Sequence, residues 1–186
     1  MRARIASLAV VAAALAAGCG GGDANDAKRV PGTPRAPSEQ AAVVWAMPVD
    51  DVERLPASEG LRALDAARVL ARSDWDAYYA TVLLVYLDEE RGIDLFSSRY
   101  SRTIERRIRE EQEIDVFFFT DEHRRRYGRR LARLRPSRAE LARYYEKFTE
   151  ETDPHAAEAM QSWLDGIRKG VAVADARTVG VMLLLE

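Results

Sequence analysis

Cysteine is nearly absent: the 186 residues contain one, Cys19. Everything after it therefore lacks a disulfide, a thiolate nucleophile and a cysteine metal site. Histidine is almost as scarce, with His123 and His155 alone. No His-x-x-x-His spacing is available for zinc. The chain has no Gly-x-Ser-x-Gly elbow and no phosphate-cradling glycine loop; Gly20, Gly21 and Gly22 follow the cysteine instead. It also lacks a strong charge of either sign. Lys plus Arg number 28 and Asp plus Glu 30, a formal net charge of −2. Bulk charge thus gives no pointer to nucleic acid. The apolar run Ile5 to Ala17 is thirteen residues, short of the roughly 20 that span a bilayer. No fixed-period repeat is present.

What is present begins at the N-terminus. Arg2 and Arg4 precede that apolar run, and small residues follow it. A positive start, a short apolar core and small residues make a secretory signal. The small residues end in Leu15-Ala16-Ala17-Gly18-Cys19. This resembles the lipobox of bacterial lipoprotein signal peptides, with Ala16 where Leu is commoner. The resemblance covers about the first 20 residues. It implies cleavage after Gly18, lipidation of the Cys19 thiol and acylation of the new N-terminus. Gly at position 20, rather than Asp, implies outer-membrane sorting in a Gram-negative host. A single acyl chain anchors only marginally, so the more than one chain of that pattern would make the tether lasting.

Residues 1–18 thus read as a lipoprotein signal peptide and 19–37 as the lipidated cysteine with a flexible leash. The leash, GGGDANDAKRVPGTPRAP, is too poor in large apolar residues to offset its ordering entropy. Cleavage removes Arg2 and Arg4, leaving 26 basic against 30 acidic side chains, a net charge of −4. Residues 38–186 suffice for one domain with a real core.

Helix signals recur through that domain. Asp50 and Glu53 suggest a short helix ending near Pro56. Ser58 opens a segment with Leu61, Leu64, Ala67 and Ala71 on one face. Ser73 and Asp76 read as a capping box before Trp75, Tyr79, Val82, Leu83 and Tyr86, with Gly92 as the stop. Tyr100, Ile104 and Ile108 stand four apart. Thr120 caps a segment carrying Tyr127, Leu131 and Leu134, halted by Pro136. Ser137 and Glu140 form a further capping box, before Leu141, Tyr144, Tyr145 and Phe148. Asp153-Pro154 opens the last clear helix, with Met160, Trp163, Leu164 and Ile167, and Gly170 as its stop. The apolar stretch Val116 to Phe119 fits a short strand or a buried helix end, and the tail VGVMLLLE is a core segment of open type. The sum predicts an all-α domain of six or seven amphipathic helices, with at most a minor strand near 116–119.

The most unusual motif is HRRRYGRRLARLR, His123 to Arg135. At 100° per residue, Arg125, Arg126, Arg129, Arg130 and Arg133 fall within an arc of about 140°. His123, Tyr127, Leu131 and Leu134 fall in another arc of about 80°. One reading is an anion-binding face for headgroups, wall polymers or an acidic partner. The competing reading pairs these arginines with the acidic stretch Glu105 to Glu113, itself laced by Glu105–Arg109 and Arg106–Glu110 spacings. Export argues against nucleic acid as the anion.

Catalytic signals are weak. His123 beside Asp121 and Glu122, and His155 beside Asp153, read as neutral imidazoles in first helical turns, where the dipole disfavours the cation. No metal and no cofactor is expected. The runs Asp88-Glu89-Glu90 and Glu110-Glu111-x-Glu113 could serve a wall-cleaving enzyme only if two carboxylates share a cleft at fixed separation. In the doublets Tyr78-Tyr79 and Tyr144-Tyr145, one ring of each is expected in the core and the other at its rim. The leading expectation is a lipid-anchored, non-enzymatic binding protein of the cell envelope, partnered by a protein or an anionic envelope component. The alternative is an envelope enzyme using an unidentified Asp or Glu.

Overall fold

The computed structural model describes residues 41–56, 64 and 67–184. Cys19, the signal and the leash lie outside the described residues. The described residues belong to one compact unit. In chain order it contains β1 (Ala41–Pro48), a 3-10 turn (Val49–Arg54), β2 (Arg68–Ser73), α1 (Ala77–Glu89), α2 (Ile104–Gln112) and β3 (Asp115–Phe119). Then follow α3 (Asp121–Arg133), α4 (Arg138–Thr149), α5 (Ala156–Val173) and β4 (Thr178–Leu184).

The all-α expectation is overturned. The four strands form one antiparallel sheet in the order β2-β1-β4-β3. The reason is burial on both faces. Val179, Val181 and Leu183 face one cluster, with Trp45, Met47, Val116 and Phe118. Met182 and Leu184 face the other, with Val44, Phe117 and Phe119. A strand covered on both sides reads as an unbroken apolar run, without the period-2 alternation that betrays a half-exposed strand. The first cluster is roofed by Val52 of the 3-10 turn, Leu55 just after it, Leu64, Tyr100, and Ile104 and Ile108 of α2. The second is roofed by α1, α3, α4 and α5. The result is three layers, with the sheet in the middle.

Local corrections follow from this. The helix expected through Ala67 and Ala71 gives way, from Arg68 on, to β2. Ser73 ends that strand, and its Oγ accepts from Trp75 N–H at 3.1 Å. The cap of α1 is Asp76, which accepts from Tyr78 N–H at 2.8 Å. Gly170 stops nothing, because α5 continues to Val173. It lies instead where α5 touches the sheet: a Cβ there would sit 2.4 Å from Phe119 Cδ2. Opposite it in β4, a Cβ on Gly180 would sit 2.4 Å from the Gly170 carbonyl oxygen. Two glycines thus bring a helix backbone against a strand backbone. α5 opens at Ala156 after His155, with Asp153 accepting from His155 N–H at 2.7 Å. The tail is β4, and 115–119 is β3. Gly92 does end its helix turn, at φ +57, with Ile93 N–H donating to Leu87 O at 2.8 Å.

Candidate functional site

The candidate site is the outer face of α3, and its geometry is set at the helix start. Thr120 Oγ1 accepts from His123 N–H at 3.4 Å, while Thr120 N–H donates to His123 Nδ1 at 3.3 Å. This is a capping box with histidine in the usual Glu or Gln position. Because Nδ1 accepts, Nε2 carries the proton and donates to Ser97 O at 3.0 Å. Burial pushes the His123 pKa below 6.5. Its two nitrogens are both occupied, so it latches the 94–103 loop to α3. His155 is exposed, its ring 5.8 Å from that of Trp75. Among the described residues no group of three His, Cys, Asp or Glu side chains is placed to hold a metal.

The latch fixes the rotation of α3. His123, Tyr127 and Leu131 are buried and Leu134 half-buried. Arg125, Arg126, Arg129, Arg130 and Arg133 are all exposed. They do not behave alike. Arg130 reaches back to the carbonyls of Arg91 and Gly92, just past the end of α1. Arg125 pairs with Asp121 at 2.5 Å, one turn earlier. Arg126 holds its guanidinium 5.1 Å from the Tyr127 ring centroid. Arg129 and Arg133 have no hydrogen-bond or ion-pair partner among the described residues.

Pairing with the acidic stretch of α2 is not what the structure forms. Arg106 takes Glu110 at 3.6 Å, Arg107 takes Glu111 at 3.3 Å, and Arg109 takes Asp115 at 2.5 Å. Glu105 turns inward and accepts from Ser98 Oγ at 2.9 Å. It is the one buried carboxylate among the described residues. Burial raises its pKa, against the lowering effect of its hydrogen bonds with Ser101, Ser98 and the Phe118 backbone. Members of the acidic runs take local partners. Glu89 accepts from Tyr144 Oη at 2.9 Å, and Glu90 pairs with Lys147 at 3.6 Å.

The tyrosines divide differently from expectation. Tyr79 is buried and Tyr78 half-buried, but Tyr144 and Tyr145 are both buried. Tyr144 packs on Tyr86 and Phe148, and Tyr145 on Tyr78 and Tyr79. Their hydroxyls stay satisfied through carboxylates: Tyr79 donates to Asp153 and Tyr86 to Glu140. Glu140 also takes Arg91, so the capping box after Ser137 has only its serine half, with Glu140 N–H donating to Ser137 Oγ at 3.1 Å. Burial, then the Asp153 bond, pushes the Tyr79 hydroxyl far up; burial and nearby carboxylates raise Tyr145 to about 12. These phenols stay protonated and act as struts between α1 and the α4–α5 region. The sequence signal for them was aromatic doublets with acids one helix away, which fixes no partner.

A hollow of about 190 Å³ lies between Arg135, Pro136, Gln161, Leu164, Asp165 and Arg168. Its arginines are engaged. Arg168 Nε donates to Leu131 O at 3.1 Å, its other arm to Leu134 O, and Arg135 donates to Ala132 O and Leu134 O, each at 2.8 Å. These contacts satisfy carbonyls at the α3 C-terminus. Among the described residues no helix is long and apolar enough to cross a membrane. No protein-family model matches the chain, and neither a curated protein nor a solved structure is significantly similar to it.

Proposed function

We propose that the chain is a lipid-anchored binding protein of the bacterial cell envelope. Its domain is held on a leash from Cys19 and contacts an anionic envelope component or partner through α3. The observation that carries the reading is the pair Arg129 and Arg133, exposed and partnerless among the described residues. A buried seam behind them holds the face outward. Guanidinium is weakly hydrated and forks onto carboxylates and phosphates, so an open arginine row suits an anionic surface. The lipobox supports the address.

Two measurements test this. Cys19→Ser should remain uncleaved and take up no labelled fatty acid; acylation of that variant would refute the anchor. The mature chain from Gly20, made without lipid, should sediment with purified envelopes at low salt and release at high salt. Arg129→Gln with Arg133→Gln should weaken that retention. Retention unchanged by both salt and substitution would refute the binding face.

A further inference from the structure

The arginine row can be assigned a class of partner, on the reading that α3 binds anions. We propose that its partner is the anionic phospholipid layer to which the chain is anchored, and that the leash strengthens the contact by supplying proximity. The row consists of Arg126, Arg129 and Arg133. On the helical wheel they share an arc of about 60°, and from first to last they rise about 10 Å along the axis. Arg130 is withdrawn by the Arg91 and Gly92 carbonyls, and Arg125 is paired with Asp121. Asp121 and Glu122 make the first turn acidic, so the basic row occupies the C-terminal two turns.

Shape decides against a single small anion. The row lies on the exposed outer side of a helix, and the nearby hollow has its arginines committed to backbone carbonyls. A convex line of guanidiniums fits a plane of repeated anions. The apolar seam of α3 is buried in the core, so the helix cannot insert and the contact is electrostatic alone.

Magnitude decides between a diffusing partner and the membrane. A basic side chain near an anionic leaflet strengthens binding about fivefold, so three give about a hundredfold. That is too weak to collect a dilute soluble partner. It is ample for a surface already held close. The leash from Gly20 to Pro37 is eighteen residues, a reach of at most about 60 Å. Short flexible linkers set effective concentrations in the millimolar range. The anchored domain would therefore lie with α3 on the headgroups, not float free at the end of its leash.

The test uses the mature chain from Gly20 without lipid. Its compact unit is retained whole. Partition is measured on vesicles of phosphatidylcholine alone and with about a third phosphatidylglycerol, at low salt. Wild type should bind the anionic vesicles only. Arg126→Gln/Arg129→Gln/Arg133→Gln should lose about a hundredfold, while Arg130→Gln keeps its partition. Unfolding curves of each variant show that the fold survives. Equal binding to both vesicle types, or a triple variant that binds like wild type, overturns the proposal. If the chain binds purified wall polymer through the same arginines but not the vesicles, the lipid assignment fails and the anion-binding reading stands. If it binds neither, both fail.

Discussion

Replacing Gly180 by alanine tests the packing that holds α5 on the sheet. The added methyl would lie 2.4 Å from the Gly170 carbonyl oxygen and 2.8 Å from its carbonyl carbon. An ordinary contact begins near 3.4 Å, so about 1 Å of separation must be found. Both obstructing atoms are backbone, so no side chain can swing aside. α5 would have to lift, loosening the Gly166 contact with Val44 and Ala71 as well. Overpacking of a core typically costs about 1–3 kcal/mol, and a rigid backbone clash belongs at the upper end. For a domain of this size, about 3 kcal/mol lowers Tm by about 10 °C. Thermal and urea unfolding of the mature chain, followed by far-UV circular dichroism, measures it. A Gly180→Ala protein as stable as wild type would refute the close approach of α5 and β4.

Other substitutions probe separate elements. Gly128→Ala, in the middle of α3 with only Arg124 Cγ at 3.5 Å from the new methyl, should stabilise by about 0.5–1 kcal/mol by urea titration. Tyr79→Phe removes the bond to Asp153 and should cost about 1–2 kcal/mol; a neutral result would count against the strut role. His123 has a depressed folded pKa, so the unfolded chain binds more protons. Its contribution is present above pH 6.5 and is lost as pH falls through the folded value. Wild-type stability should therefore drop more steeply from pH 7 to pH 5 than that of His123→Gln, which keeps an acceptor for the capping box; parallel curves would contradict the latch. Glu105 has a raised folded pKa, so its contribution rises as pH falls, and Glu105→Gln should flatten that opposing component.

The local signals that the sequence carried were those satisfied within a few residues. The Thr120 cap, the Pro136 stop and the seam through Tyr127 and Leu131 emerge where their spacing places them. So does the short turn from Val49 to Arg54. The sheet was not legible, because its central strands, β1 and β4, are the first and last elements among the described residues. Within them Val43 to Met47 and Val179 to Leu184 are buried on both faces and carry no alternation. Gly170 read as a helix stop because its real partner, Gly180, belongs to the strand that follows. At the candidate site, composition located the arginines and the wheel separated their face from the seam. It could not divide them, since what withdraws Arg130 is a pair of carbonyls beyond the end of α1. Nor could it show that Glu105 turns inward among serines while its neighbours stay in water.

The most direct test of the account is the salt dependence of binding by the unlipidated mature chain to anionic vesicles. Between low and high salt, screening should abolish a contact made by exposed charges. A steep fall in partition for wild type is predicted, with a nearly flat line for Arg126→Gln/Arg129→Gln/Arg133→Gln. Superimposable lines for the two proteins would contradict the claim that α3 is the binding face.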